Sequence, residues 1–433
     1  MATSTSDIES PDATLPATDD GLLGGNELVA NSLGEYVGAT IKRIRNGDSG
    51  VLPVVVGLII IVIIFQTQNS KFLSTGNLTN LIEQSGVFVI LGMAEVFVLL
   101  LGEIDLSTGF VGAVGAVITA ELATPPHNVN WALAVLAGLA SCAVIGLIQG
   151  LLITRLGLPS FVVTLAGLLG WNGFLLYLIQ RDKAATGGTI AVTSNVLNDI
   201  VNGSMTTTAG WILMVVLVVI FAVMTLLQNW RRRSSGLVTA PLSLTLIKIV
   251  AVAAAGVILV LVCNADRGFN DTKLDGVPWI VPLVMAVLVI YSLLLGRMRF
   301  GRYLYAIGGN AEAARRAGIS LNSIRLLAFV LCSFTAGIAG IVYLSQLGSI
   351  SSDVEGGNLV LYAIASAVIG GTSLFGGRGK MIHAVLGGIV ITTIYNGMGL
   401  IQIGAAGQQM VIALVLLAAV IVDAVARRGA TTR

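Results

Sequence analysis

Apolar runs close to 20 residues long recur from one end of this chain to the other, and they constrain its fold more than any other feature. About 30 Å of hydrocarbon at 1.5 Å rise per residue requires a helix of that length. The charge count agrees. Only 11% of the 433 residues are charged and 55% are hydrophobic, whereas a soluble domain carries roughly 25% charged residues. The expected fold class is therefore all-α: a polytopic membrane protein. Its 52 glycines suit close helix contacts in lipid.

About twelve membrane-spanning helices can be counted. The first six are Val51–Phe65, Ser85–Leu101, Gly109–Ala123, Trp131–Ile153, Ser160–Ile179 and Trp211–Leu227. The second six are Leu246–Cys263, Trp279–Leu295, Leu326–Leu347, Leu359–Leu374, Ala384–Ile401 and Met410–Ala426. Several are short for a full crossing. With the N-terminus in the cytoplasm, alternate connections place 19 Lys and Arg inside and 5 outside. That asymmetry is the one expected of cytoplasmic loops, and it puts both termini in the cytoplasm. An error of two adjacent spans would leave it nearly unchanged, so it fixes orientation better than number.

One cytoplasmic connection stands out. Gly296–Arg325 carries six arginines of the chain's 24 basic residues: Arg297, Arg299, Arg302, Arg315, Arg316 and Arg325. Within it Asn310–Gly318 reads as a short helix. Asn310 suits the N-cap, Glu312 the first turn, Ala313 is a strong helix former, Arg315 and Arg316 suit the negative end of the dipole, and Gly318 suits the stop. Such a helix can dock on a partner, or it is a connecting loop made basic by topology alone.

Elsewhere, residues out of keeping with their surroundings mark candidate sites. Glu103 and Asp105 in Leu99–Gly109, and Glu95 inside an apolar span, are costly in lipid unless they meet water, cations or donors. They either satisfy backbone donors at a bend, which Ser107 and Thr108 cap, or line a passage. Tyr343, Gln346, Tyr362, Tyr395, Asn396 and Gln402 are compatible with a polyol path or with ordinary packing. Glycines at Gly109, Gly112 and Gly115, at Gly167, Gly170 and Gly173, and at Gly337 and Gly340 read as helix-crossing positions.

Other stretches narrow the chemistry. Gly370–Lys380 resembles a nucleotide-binding loop but puts Leu374 and Met381 where a glycine and a Ser or Thr are needed, so no ATP site is expected in this chain. Cys142, Cys263 and Cys332 read as packing residues, and no metal-ligand or nucleophile–base spacing occurs. The first 50 residues are polar, acidic and then basic, without the apolar core of a signal peptide. They read as a largely disordered tail in which Glu27–Arg45 suits a surface helix. Gln180–Gly210 reads as a re-entrant or lid element, or as a plain loop.

Taken together, LGEIDLSTG (Leu101–Gly109), YAIGGNAEAARRAGIS (Tyr305–Ser320), VIGGTSLFGGRGK (Val368–Lys380) and YNGMGLI (Tyr395–Ile401) resemble the permeases of bacterial ABC importers for monosaccharides. The ribose, xylose and galactose permeases are the pertinent group, with the xylose subtype favoured by Glu103, where many members have glycine. The resemblance covers most of Gly76–Arg428. It implies a permease domain over residues 51–428, a coupling helix at 310–320 and a short tail at 429–433, while residues 231–276 read as an insertion with an extra span that departs from the compact family core. It also implies import of a monosaccharide, xylose or a related sugar, across the bacterial inner membrane.

The partners implied are an ATPase subunit that binds ATP and Mg, an extracytoplasmic sugar-binding protein, a second permease copy and the bilayer, with no nucleic acid. Coupling to the ATPase then falls to Asn310, Glu312, Ala313, Arg315, Arg316 and Gly318, and the path or gate to Glu95, Glu103, Asp105, Tyr362 and Asn396. The competing reading is an ion-coupled secondary transporter that uses Glu95, Glu103 and Asp105 as coupling carboxylates.

Overall fold

A computed structural model describes residues 52–182, 185–235, 242–268 and 274–431. The N-terminal tail, including Glu27–Arg45, lies outside the described residues, as do Lys183 and Lys273.

The elements run in this order: α1 (Leu52–Gln68), α2 (Thr75–Leu99), α3 (Thr108–Ala123), α4 (Trp131–Arg155), α5 (Ser160–Arg181), β1 (Thr189–Ala191), α6 (Asn195–Asn202), α7 (Thr207–Ser234), α8 (Leu242–Asn264), α9 (Ile280–Arg297), α10 (Arg299–Gly309), α11 (Ala311–Arg316), α12 (Leu321–Leu347), β2 (Ser349–Ser351), α13 (Gly356–Ile369), α14 (Met381–Leu400) and α15 (Ala405–Thr431). Each of the twelve expected spans overlaps one of these helices. Eight are long and apolar enough to cross a bilayer, and α1, α3, α13 and the described part of α15 are shorter apolar helices.

The bundle is built around α12, which lies against α2, α3 and α4, while α2 also meets α13 and α14. Small residues allow close crossings. A Cβ on Gly340 would sit 1.9 Å from the carbonyl oxygen of Gly112, so α3 and α12 meet backbone to backbone, as small residues permit in lipid. Gly170 and Gly173 differ from that expectation, since nothing lies within 4 Å of a Cβ at either. At the periphery α7 and α8 pack mainly on each other. Their apolar side chains, such as Ile212, Val219, Val250 and Ile258, point outward, which suits contact with hydrocarbon.

Three elements depart from the sequence reading. The apolar stretch at Thr189–Val192 is largely strand: β1 pairs antiparallel with β2, Ile190 opposite Ile350. Among the described residues the class is therefore helical with one two-stranded ribbon. Beside it α6 is anchored to the end of α12, where Asn202 donates to the Ser345 carbonyl at 2.6 Å and Val201 N–H to Ser345 Oγ at 3.0 Å. The second departure is α2, which begins at Thr75 rather than Ser85, with Ser74 accepting from Asn77 N–H as its cap. The polar turns Asn77–Gln84 hid its start. The third is α10, a helix inside a stretch read only as polar, which buries Gly301, Leu304 and Ile307 at intervals of three.

Candidate functional site

The basic helix α11 is defined by its ends. Asn310 adopts an extended backbone, and its Oδ1 accepts from Ala313 N–H at 2.9 Å, the N-cap geometry. At the other end Ile319 N–H reaches the Ala314 carbonyl and Gly318 N–H that of Arg315. With Gly318 at φ +82°, this is a Schellman stop, which favours glycine. Ala314 is buried, whereas Glu312, Ala313, Arg315 and Arg316 face outward. Glu312 pairs with both arginines. Exposed pairs of this kind contribute about 0–1 kcal/mol, so their main effect is to hold the two guanidinium groups in place.

Three segments meet just before this helix with almost no side-chain spacing. Gly377 N–H donates to the Leu100 carbonyl at 2.9 Å. A Cβ on Gly308 would lie 1.8 Å from that same oxygen. Tyr305 Oη donates to the Gly379 carbonyl at 2.7 Å. The end of α2, the end of α10 and the α13–α14 loop thus form one backbone junction. Gly376 and Gly377 have positive φ, +86° and +75°, and glycine permits both the turn and the approach.

Glu103 follows the same end of α2. Its Oε1 lies 2.8 Å from Arg325 Nε, in the first turns of α12. The nitrogen faces the carboxylate as an ion pair without hydrogen-bond alignment. Burial pushes the Glu103 carboxyl above the ordinary carboxylate range, and the Arg325 guanidinium pulls it part of the way back.

Deeper in, Glu95 and Asp105 are wholly buried. Thr108 Oγ1 donates to Glu95 Oε1 at 2.8 Å. Asp105 Oδ1 accepts from Ser107 N–H at 2.9 Å and from Ser107 Oγ at 2.6 Å, and Gln149 Nε2 donates to Ser107 Oγ at 2.8 Å. Ser107 occupies the N-cap position of α3 yet makes no side-chain cap. Its hydroxyl turns to Asp105, and Thr108 turns to Glu95, so the capping expected of these two residues is replaced by a carboxylate network.

Tyr362 and Asn396 lie far from this network. Tyr362 packs on Phe88 at the middle of α2, and Asn396 lies by its first turns, where Asn77 and Asn396 exchange amide hydrogen bonds at 2.9 and 3.1 Å. Gln84 accepts from Asn396 Nδ2 at 3.3 Å. From Gln84 to Glu95 is eleven residues, about 17 Å of helix. The five expected path residues therefore do not form one site: Asn396 lies by the first turns of α2, Tyr362 by its middle, and Glu95, Glu103 and Asp105 toward its far end. The sequence reading passed over Asn77, Asn80, Gln84 and Phe88, although their spacing of 3, 4 and 4 marks one helical face.

Among the described residues no group of His, Cys, Asp and Glu could hold a metal. The three cysteines are free and buried.

This is the architecture of a membrane permease: a glycine-rich helical bundle, a capped basic helix at one end and polar groups within. Residues 77–420 match the sequence profile of the branched-chain amino acid transport system permease component. The xylose transport system permease protein of Haemophilus influenzae is 34% identical over 357 residues, 82% of this chain and 90% of the relative. The corresponding Escherichia coli protein is 32% identical over 383 residues, 87% and 92% of the two chains. The D-allose transport system permease protein of E. coli is 30% identical over 369 residues, 84% and 89%. No solved structure matches. The chain belongs to this family of bacterial ABC-importer permeases and is a multi-pass protein of the inner membrane.

Proposed function

We propose that the chain is the membrane subunit of an ATP-driven importer that carries a monosaccharide, xylose or a closely related sugar, into the cytoplasm. The names of its relatives, xylose, D-allose and ribose permeases, support the sugar class. The observation that carries the mechanism is α11: an exposed, doubly capped basic helix that directly follows α10, whose end forms a backbone junction with α2 and the α13–α14 loop.

The partner ATPase, which binds ATP and Mg, grips this helix through Arg315 and Arg316, oriented by Glu312. Asn310, Ala313 and Gly318 fix the shape of the gripped element. The end carrying Arg155, Arg297–Arg325, Arg378 and Lys380 faces the cytoplasm, because basic residues are retained there, and both termini lie on that side. An extracytoplasmic sugar-binding protein delivers the sugar to the opposite face, and a second copy of the permease completes the unit.

ATP binding shifts α11. The shift passes to α12 directly and to α2 through the Leu100–Gly377 and Glu103–Arg325 contacts, which alternates access to a path between the ends. Tyr362 lies on that path near its middle and Asn396 nearer its outer mouth, and Glu95 and Asp105 fix the bend at its inner end. Residues 231–276, which include α8, are an insertion on the lipid-facing side.

Proteoliposomes holding the permease, its ATPase and its binding protein test this reading. Uptake of labelled D-xylose, D-ribose or D-allose should require ATP and persist when ion gradients are collapsed. Uptake abolished by an ionophore and indifferent to ATP would sink it.

A further inference from the structure

The last helix of the chain meets the bundle mainly through α13. Packed helices normally bring their axes within about 8–10 Å, and side chains close the space between them. Between α13 and α15, however, runs a cleft of about 500 Å³. Leu361 and Tyr362 form one wall, and Ile412, Ala413, Leu416 and Val420 form the other. Leu361 and Leu417 at its edge are 44% and 56% exposed, so the cleft opens sideways, where hydrocarbon surrounds the bundle.

Its polarity is one-sided. The amides of Asn358 and Gln409 line it toward the start of α13, the end opposite the basic helix. From Gln409 to Val420 is eleven residues, about 17 Å of helix. One leaflet is half of the roughly 30 Å of hydrocarbon, so the cleft is about one leaflet deep. Charge is one-sided too. Glu355 stands exposed just before α13, with Asn358 donating to its Oε2 at 2.7 Å, and Asp353 is exposed two residues earlier. Neither carboxylate has a basic partner among the described residues, and none of the described residues lining the cleft is basic.

Apolar walls hold water poorly, and a gap between them forfeits dispersion contacts. Within a bilayer, hydrocarbon fills such a space. The acidic rim then selects the headgroup to which that hydrocarbon is attached: it repels an anionic one and attracts a protonated amine. We propose that the α13–α15 cleft is a resident site for one aminophospholipid. One acyl chain lies along Ile412, Leu416 and Val420. The headgroup ammonium donates to the Glu355 carboxylate, and the phosphate accepts from Gln409 and from the second amide N–H of Asn358. Lipid held there props α15 at its distance from α13, whatever solute the permease carries.

Native mass spectrometry of the delipidated permease, titrated with phosphatidylethanolamine or phosphatidylglycerol, tests the site. Phosphatidylethanolamine should form a one-to-one adduct with each permease copy about tenfold more tightly than phosphatidylglycerol, the difference expected of one charge-assisted contact. Glu355→Gln should erase that preference. Ala413→Trp, which fills the cleft from an exposed position, should weaken both lipids by about tenfold. Leu417→Trp, at the more exposed edge, repeats that test should Ala413→Trp fold poorly. Equal binding of the two lipids by the wild type, a preference retained in Glu355→Gln, or full affinity in the filled variants would overturn the site and leave only ordinary annular lipid. A permease dimer that excludes the lipid adduct and is broken by Ala413→Trp would also overturn it, because the occupant would then be a second copy.

Discussion

Arg325 reaches from the first turns of α12 to within 2.8 Å of Glu103, which stands just past the end of α2. The two helices that make up the centre of the bundle are thereby joined by charge on the side where the basic helix lies. The carboxylate is the more buried partner, with its side chain 11% exposed against 33% for the arginine.

That asymmetry predicts unequal costs. Arg325→Met leaves a buried carboxylate without its counter-charge and should destabilise the purified protein by about 1–3 kcal/mol. Glu103→Gln removes the group that burial already pushes toward neutrality, and should cost under about 1 kcal/mol while lowering transport. Thermal unfolding of both variants in detergent checks the ranking. Equal losses would show that the pair is merely adjacent.

The same carboxyl gives a pH signature. Its folded-state pKa lies above the unfolded one, so it favours the fold below the unfolded value and loses that contribution as pH rises through the folded value. Wild-type thermal stability should therefore fall across that rise more than that of Glu103→Gln. Parallel pH profiles for the two proteins would count against this.

Charge reversal at both Arg315 and Arg316 should reduce recovery of the partner ATPase in co-purification by tenfold or more, about 1.4 kcal/mol. Binding of the extracytoplasmic sugar-binding protein should remain. Glu312→Ala should act in the same direction and more weakly, because it frees the arginines without removing them. Wild-type recovery of the ATPase with both arginines reversed would place the docking element elsewhere.

Adjacent glycines supply an internal control. A Cβ at Gly308 would collide with the Leu100 carbonyl at 1.8 Å, whereas at Gly309 nothing lies within 4 Å. Gly308→Ala should destabilise the protein by about 1–3 kcal/mol, the usual range for overpacking, and should impair ATP-driven uptake. Gly309→Ala should be close to neutral. A comparison of unfolding midpoints decides it, and indistinguishable variants would dissolve the proposed junction.

Much of the architecture was legible because the bilayer imposes one length and one polarity on every crossing. The helix at α11 was legible for a local reason: Asn310 and Gly318 encode its ends in the chain itself. What could not be read depended on distant pairing. The short segment Thr189–Ala191 becomes a strand only because Ser349–Ser351 arrives beside it. Ser107 looked like a cap, but its hydroxyl donates to Asp105 two residues back, and the distant partner is Gln149, which donates to it from α4. The early start of α2 was hidden because Asn77, Asn80 and Gln84 break the apolar run while keeping helical spacing. Glu95 and Tyr362 were grouped by residue type, and only the fold separates them.

The ribbon of β1 and β2 carries a mechanical consequence. The helix that leads into β2 starts at Leu321, a short step beyond the basic helix, and runs unbroken for 27 residues, roughly 40 Å of rod. On the proposed mechanism, a push delivered by the motor at the near end of this rod would arrive at the far rim as displacement of β2, and the strand stitched to it would travel too. Stapling that rim should therefore stall the engine on the other side of the membrane.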